Sequence, residues 1–185
     1  LNSGSVSGTN HVGGIVGAFN GTDSTLSGCA NTGAVTGTGD KIGGIIGNLY
    51  KNTVTNCYNS GSVTSTASGA TKGVGGIVGG TQGAATVSNS YNAGTVTGAE
   101  ASAAALIGYD ARGAVLTNCY YLGTGEDAFH GVGGSSTTEN DTVSAKTEDE
   151  MKAAEIIALL NGESGTAFAA DSGISALNGG YPVLS

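Results

Sequence analysis

The feature of this sequence that most constrains its fold is an internal repeat with a period of about thirty residues. Three motifs recur in the same order: an apolar Gly-Gly-Ile-Val-Gly unit, a Val-x-Asn-Cys-Tyr-Asn unit and a Gly-x-Val unit. Because this order is kept while the linkers vary, the repeat predicts a solenoid rather than a flexible linker. The first motif lies at residues 13–17, 43–47, 75–79 and 104–108, the second at 26–31, 54–59, 87–92 and 116–121, and the third at 4–6, 33–35, 61–63 and 94–96.

Each repeat contains three short segments that favour β-strands, separated by Gly, Asn, Ser and Asp. Three strands per turn describe a coil whose neighbours lie about 4.8 Å away, so that equivalent residues stack. We therefore predict an all-β fold for residues 1–122: a parallel β-solenoid (β-helix) of about four coils, right-handed like other β-helices. The predicted core rows are Ile15, Ile45, Ile77 and Leu106; Leu26, Val54, Val87 and Leu116; and Val6, Val35, Val63 and Val96.

Amides and tyrosines also recur at fixed positions of the repeat. The amide row is expected to be structural, because stacked asparagines satisfy backbone groups at a solenoid corner. The tyrosine row has the opposite strand parity to the cysteine position, so it faces outward if the cysteines face inward. Outward rings could contact a ligand by stacking on sugars, or they could shield the sheet. The two rows are Asn31, Asn59 and Asn92, and Tyr58, Tyr91 and Tyr120.

The three cysteines, Cys29, Cys57 and Cys119, occupy one repeat position, where the third coil carries Ser90. Their number is odd and they form no CxxC pair, so neither a disulfide framework nor a zinc site is indicated. We predict three buried thiols. We assign no metal and no cofactor.

Composition and missing motifs exclude several functions. The formal charge is −8 with six Lys and Arg residues, which argues against nucleic-acid binding through a basic surface. No stretch approaches the roughly 20 apolar residues of a membrane span, so this segment is not expected to insert into a membrane. HExxH, GxSxG, Walker GK[ST] and GGxGxD motifs are all missing, and we assign no catalytic residue. His11 and His130 are solitary, and we expect them at the surface.

Charged residues follow the apolar units, and these loops hold further candidate ligand contacts. Asp23, Lys51, Asp110 and Arg112 all lie there. Lys51 and Arg112 share the fourth place after the last glycine of the unit, with Gly83 on the coil between them, which predicts a separation of about 10 Å. The candidate contacts are therefore Lys51, Asp110 and Arg112, besides the tyrosine row.

The units at 13–17, 43–47 and 75–79, together with Asn-Cys-Tyr-Asn-Ser-Gly-Ser-Val at 56–63, closely resemble the GLUG repeat of bacterial surface proteins. The resemblance covers about residues 1–122, with Ile mostly in place of Leu and departures at 104–108 and at Ser90. GLUG repeats occur in adhesin-like proteins and, outside the catalytic part, in immunoglobulin-A-cleaving metallopeptidases. The resemblance implies a display or binding segment, secreted or at the cell surface, with its signal and anchor elsewhere. Since residues 1–6 match the end of a repeat, we expect further repeats upstream.

Residues 123–185 depart from the period and are predicted to form a C-terminal capping segment. Thr147 and Glu150 form a capping-box pattern before a helix over about 148–161, and Gly162 suits the position after its end. The helix has a broad apolar surface that must cover something. We predict that the helix and the tail at 179–184 cover the open end of the stack.

The sequence supports one leading functional hypothesis and two alternatives. The leading one is a non-catalytic structural or adhesive segment of a bacterial cell-surface protein, which presents sheets and loops to a host glycan or surface protein or acts as a rigid stalk. The first alternative is a carbohydrate-active β-helix enzyme, whose turnover of an anionic polysaccharide would depend on Lys51 or Arg112. The second is ice or crystal binding by the single file of Ser7, Thr36, Thr64 and Thr97.

Overall fold

The computed structural model describes residues 1–69, 72–99, 102–123, 130–134, 142–162, 165–172 and 176–185. Within these ranges the chain forms a parallel β-solenoid of about four coils, as the repeat predicts. Four parallel sheets run along the stack, and every strand pairs with the equivalent strands of the neighbouring coils. One short antiparallel pair lies in the C-terminal segment.

Each of the four coils contributes strands to all four sheets, and the first two coils contribute two strands to the largest sheet. The first coil comprises β1 (Val6–Gly8), β2 (Val12–Gly13), β3 (Val16–Phe19), β4 (Thr25–Ser27) and β5 (Ala30–Asn31). The second comprises β6 (Val35–Gly37), β7 (Ile42–Gly43), β8 (Ile46–Tyr50), β9 (Thr53–Thr55) and β10 (Tyr58–Asn59). In the next two coils one longer strand replaces the last two: β11 (Val63–Ser65), β12 (Val74–Gly75), β13 (Val78–Gln82) and β14 (Thr86–Asn92), then β15 (Val96–Thr97), β16 (Ala103–Ala104), β17 (Ile107–Asp110) and β18 (Val115–Leu122).

The predicted rows stack in register. The leucine and valine row from Leu26 to Leu116 and the valine row from Val6 to Val96 are both paired coil by coil. The first two predicted rows share one apolar core with the cysteines. The third row instead packs in a separate cluster with Val12, Ile42 and Val74, so the three rows do not close a single core. The Ser7, Thr36, Thr64 and Thr97 file is also in register.

A continuous asparagine ladder runs beside the core. Asn31, Asn59 and Asn92 are buried, and Asn2 extends their row by one position. Each side-chain amide donates to the Oδ1 of the next asparagine, at 2.7 Å from Asn2 and 2.8 Å from Asn31 and Asn59. Each also donates to the backbone carbonyl two residues further along its own chain. The row is therefore structural, and each amide joins two coils.

The second glycine of the Gly-Gly pair lies against both the asparagine ladder and the backbone of the next coil; a Cβ on Gly44 would lie 2.1 Å from the carbonyl oxygen of Gly76. A Cβ added to Gly44 would lie 2.4 Å from Cγ of Asn59, and one on Gly76 would lie 2.2 Å from Cγ of Asn92. The backbone can approach the amide this closely only without a side chain. In the fourth coil Tyr121 occupies the ladder position, and that coil carries Ala104–Ala105 instead of two glycines.

Strand pairing, rather than a helix, covers the edge of the fourth coil. Strand β19 (Val143–Lys146) pairs in parallel with β18, and Val132 forms a bridge with Ile107. The carbonyls of His130 and Gly131 accept bonds from the backbone of the fourth coil. The C-terminal segment thus covers the open edge as predicted, but through a fifth, partial coil; the prediction that the helix and the tail at 179–184 do so is wrong, since both lie on the tyrosine row.

The predicted helix over 148–161 is two helices, α1 (Glu148–Lys152) and α2 (Ala154–Asn161), separated by Ala153 with extended backbone. The capping box of Thr147 and Glu150 is present, and Gly162 ends α2. Both helices lie against the outer face of the sheet that contains β14 and β18. The segment is completed by the antiparallel pair β20 (Phe168–Ala169) and β21 (Val183–Leu184).

Candidate ligand-binding cleft

An open cleft crosses the turns that follow β8, β13 and β17 on three successive coils. Its volume is about 570 Å³. The structure brings Lys51 and Arg112 together here, on opposite sides of Gly83, where the repeat alignment places them. The lining residues are Tyr50, Lys51, Gln82, Gly83, Ala84, Ala111 and Arg112.

The turns that form the cleft depend on left-handed backbone conformations. Lys51 has φ 50°, Gly83 has φ 85° and Gly113 has φ 76°. A Cβ on Gly83 would lie 2.8 Å from Cγ of Lys51, so the lysine stem packs directly over the glycine. The lysine Nζ then lies 5.3 Å from the ring centroid of Tyr50, within the range of a cation–π contact.

The cleft is positively charged although the whole chain carries −8. Lys51 and Arg112 are exposed, and neither forms an ion pair with a carboxylate of the described residues. None of the lining residues is acidic. Asp23 of the first coil lies next to Lys51 in the stack, and its backbone N–H donates to the Lys51 carbonyl at 3.2 Å. Two cations thus remain available to a ligand.

Asp110 does not face the cleft, in contrast to its expected role as a ligand contact. Its carboxylate is fully buried and accepts a hydrogen bond from Thr81 Oγ1 at 2.5 Å. It also accepts bonds from the backbone N–H groups of Ala114, at 2.7 Å, and Arg112, at 3.3 Å. Because these bonds hold the turn after β17 in shape, Asp110 positions Arg112 instead of touching a ligand.

The tyrosine row is also not exposed, which corrects its interpretation as a ligand-contact surface. Tyr58, Tyr91 and Tyr120 point away from the main core, as their parity predicts, but each is at most 4% exposed. The rings of Tyr58 and Tyr91 stack with centroids 5.1 Å apart. Residues of α1, α2 and β20 cover the row: Met151, Ile156, Leu160 and Phe168. The tyrosines therefore shield the sheet and anchor the C-terminal segment.

Tyr91 is the most enclosed of the three, and this predicts sensitivity to alkali. Its hydroxyl donates to the Pro182 carbonyl and accepts from Asn178 Nδ2 at 2.7 Å. Burial, chiefly, raises the pKa of Tyr91 well above its usual value. The unfolded chain therefore loses this proton first, so the stabilising effect is complete below about pH 10 and is lost as the pH rises further. We expect urea denaturation to show a smaller loss of stability above pH 10 in Tyr91→Phe; an equal loss in both proteins would contradict this.

The cysteines are free, but only two of them are buried. Burial raises the pKa of the Cys57 and Cys119 thiols to about 12, whereas Cys29 in the first coil is half-buried. The prediction of three buried thiols is thus wrong for Cys29, because no described coil covers it on its other side.

We expect one thiol of the folded protein, that of Cys29, to react quickly with a chromogenic disulfide, and three thiols to react after denaturation. Fast reaction of Cys57 or Cys119 in the folded protein would contradict the burial.

Two residues with polar side chains in the cleft, Tyr50 and Gln82, were not singled out in the sequence. Tyr50 directly precedes Lys51, and Gln82 pairs with Tyr50 on the next coil. Their position next to a loop cation was the available signal, but neither belongs to a recurring row. Among the described residues no group of His, Cys, Asp and Glu could hold a metal ion, and His11 and His130 are exposed.

Comparison with known proteins finds a solved structure that shares this fold. No protein-family model matches the chain, and no curated protein does either. A crystal structure described as that of a putative immunoglobulin A1 protease from Bacteroides ovatus matches 99% of this chain, with a TM-score of 0.64 and 24% sequence identity. The chain spans 55% of the length of that protein. At this identity the match shows a shared fold. No helix of the described residues is long and apolar enough to cross a membrane.

Proposed function

We propose that this chain is a non-catalytic segment of a secreted or surface-attached bacterial protein, in which GLUG-like repeats form a stiff rod that presents its turns to host molecules. The observation that carries the proposal is the in-register stack. Every coil is bonded to the next through its sheets, and the asparagine ladder adds bonds from Asn2 to Asn92. Such a stack resists bending while its turns stay free to vary.

The fold match supports this proposal. The matched protein is described as a putative immunoglobulin A1 protease, and the chain spans little more than half of it. A segment of that size without a catalytic motif is compatible with a part that holds or positions another domain. The GLUG resemblance rests on the motifs themselves, since no family model matches the chain.

The alternative of a carbohydrate-active enzyme has less support. Cleavage by acid–base chemistry needs groups that exchange protons at the substrate. The carboxylate expected in the cleft, Asp110, is buried and bonded to its own turn. The charged residues that line the cleft are Lys51 and Arg112, which are suited to holding an anion rather than to protonating a leaving group.

The proposal is tested by binding of the purified chain to an array of host glycans, mucins and matrix proteins. The double variant Lys51→Gln/Arg112→Gln, in which the turn surface is altered, is tested beside the unaltered chain. Saturable binding that is weakened in this variant supports presentation of the turns. A chain that binds nothing on the array would support the stalk function alone, whereas turnover of an array component would contradict a non-catalytic segment.

A further inference from the structure

We propose that the cleft between Lys51 and Arg112 binds an acidic oligosaccharide. The two cations hold successive negative groups of the glycan, and the ring of Tyr50 contacts the apolar face of a sugar. This inference rests on the proposed function, because it names the ligand class that one set of presented turns would take.

The spacing of the two cations favours a repeating polyanion. Lys51 belongs to the second coil and Arg112 to the fourth, so two inter-coil steps separate their backbones, or about 10 Å along the axis. Gly83 lies on the coil between them, and the stem of Lys51 packs over it, so the lysine charge extends across this coil toward Arg112. A ligand that runs along the solenoid axis with negative groups at intervals could therefore contact both cations at once.

The remaining lining residues favour a carbohydrate over an acidic peptide. Tyr50 is half-buried at the edge of the cleft, and aromatic rings offer an apolar face together with a polar tip. Gln82 supplies both a donor and an acceptor for hydroxyl groups. Ala84 and Ala111 leave the remaining surface low and open. Hydroxyls, an apolar ring face and regularly spaced acids occur together in acidic glycans.

The negative charge of the whole chain does not prevent this binding. At physiological ionic strength charges more than about 8 Å apart are largely screened, so the local sign of the cleft decides. Of the two acids in the neighbouring turns, Asp110 is turned into the protein and bonded there, and Asp23, on the coil next to Lys51, does not line the cleft. Screening also predicts that binding weakens steeply as salt is added, since both cations are exposed.

The test is calorimetric titration of the full chain with size-defined oligogalacturonate and with a sulfated heparin-type oligosaccharide, which separate carboxylate from sulfate recognition. A neutral oligosaccharide of equal length and a poly-glutamate peptide are the comparison ligands. Lys51→Gln and Arg112→Gln are each expected to weaken binding about three- to five-fold, the scale of an exposed ion pair, and the double variant about ten-fold or more. Tyr50→Leu should weaken glycan binding as well. Lys72→Gln, which removes the same charge away from the cleft, should leave the affinity unchanged.

The inference is overturned if neither acidic glycan binds, or if binding is unaffected in the double variant. Poly-glutamate binding as strongly as the glycans, with no effect of Tyr50→Leu, would also overturn it, because charge alone would then explain the affinity. The proposed function is judged separately. If the acidic glycans fail while another array component binds to the turns, this inference is wrong and the presentation of turns stands.

Discussion

A chain truncated after Leu122 is expected to aggregate instead of unfolding cooperatively. The truncation removes β19, which pairs with β18, and leaves the edge of the fourth coil open. It also uncovers the tyrosine row by removing four buried side chains, Met151, Ile156, Leu160 and Phe168. Their burial stabilises the fold by roughly 8 kcal/mol, from about 2 kcal/mol for each, which is comparable with the whole stability of a typical domain. The measurement is size-exclusion chromatography combined with thermal denaturation; a soluble, cooperatively unfolding fragment would contradict the expectation.

Single substitutions in α2 test whether this helix packs on the tyrosine row, independently of the strand pairing that covers the edge of the fourth coil. Ile156 is 1% exposed and packs on the tyrosine row, whereas Leu159 of the same helix is 44% exposed. Ile156→Ala should lower the free energy of unfolding by about 3 kcal/mol, as for other large-to-small core substitutions. Leu159→Ala, the matched control, should change it by less than about 1 kcal/mol. Equal effects of the two would mean that α2 does not lie on the tyrosine row.

Asn59→Ala is expected to be the most damaging single substitution in the asparagine ladder. Asn59 accepts a bond from Asn31 and donates bonds to Asn92 and to the Gly61 carbonyl, all at 2.8 Å. The residue is fully buried, so truncation leaves these partners without water. We expect a loss of about 3 kcal/mol in the free energy of unfolding, measured by urea denaturation.

The end of the ladder provides the control. Asn2 makes similar bonds, but those to Gly4 are exposed, so Asn2→Ala should lower stability by only about 0.5 kcal/mol. Asn59→Asp tests the donor role, since a carboxylate cannot donate to Asn92. It should be at least as destabilising as Asn59→Ala at neutral pH and partly relieved at acid pH, where the carboxyl is protonated. Loss of stability of the same size at Asn2 and Asn59 would show that the ladder does not act through buried bonds.

The coil register could be predicted from the sequence, because a solenoid turns a repeat into a stack. Once the units at 13–17, 43–47 and 75–79 are aligned, Leu26 must pair near Val54 and Asn31 near Asn59, as the structure has them. The role of the glycine pairs follows from the stack itself, because the second glycine of each pair lies against an asparagine amide.

The place of the C-terminal segment could not be predicted, because an apolar helix face shows that something is covered without showing what. The solenoid offered two uncovered surfaces, the end of the stack and the outward tyrosine row. The end is covered by β19 and by a bridge at Val132, residues that follow no repeat motif. Because β19 and Val132 pair with the fourth coil, the end of the stack is already covered, and the helices pack on the tyrosine row instead. The outward direction of Tyr91 was therefore predicted correctly, and its burial was not.

In the cleft, too, positions that follow the coil register could be predicted from the sequence, whereas positions that depend on local packing could not. Lys51 and Arg112 could be placed on one line by alignment, since loop positions follow the register of the strands. Asp110 could not be told apart from them, because its inward turn depends on the bonds from Thr81 and Ala114. Tyr50 became a cleft residue only through the packing of the Lys51 stem over Gly83.

The most direct test of a non-catalytic, ligand-holding segment is to measure both the binding of an oligosaccharide and the length of that oligosaccharide after incubation. The chain is incubated with size-defined oligogalacturonate, the bound fraction is measured by equilibrium dialysis, and the length of the recovered oligosaccharide by mass spectrometry. We expect saturable, reversible binding that is weakened in Lys51→Gln/Arg112→Gln, and an oligosaccharide of unchanged length. Shortening of the oligosaccharide by the unaltered chain, abolished in the double variant, would contradict this function and establish an enzyme instead.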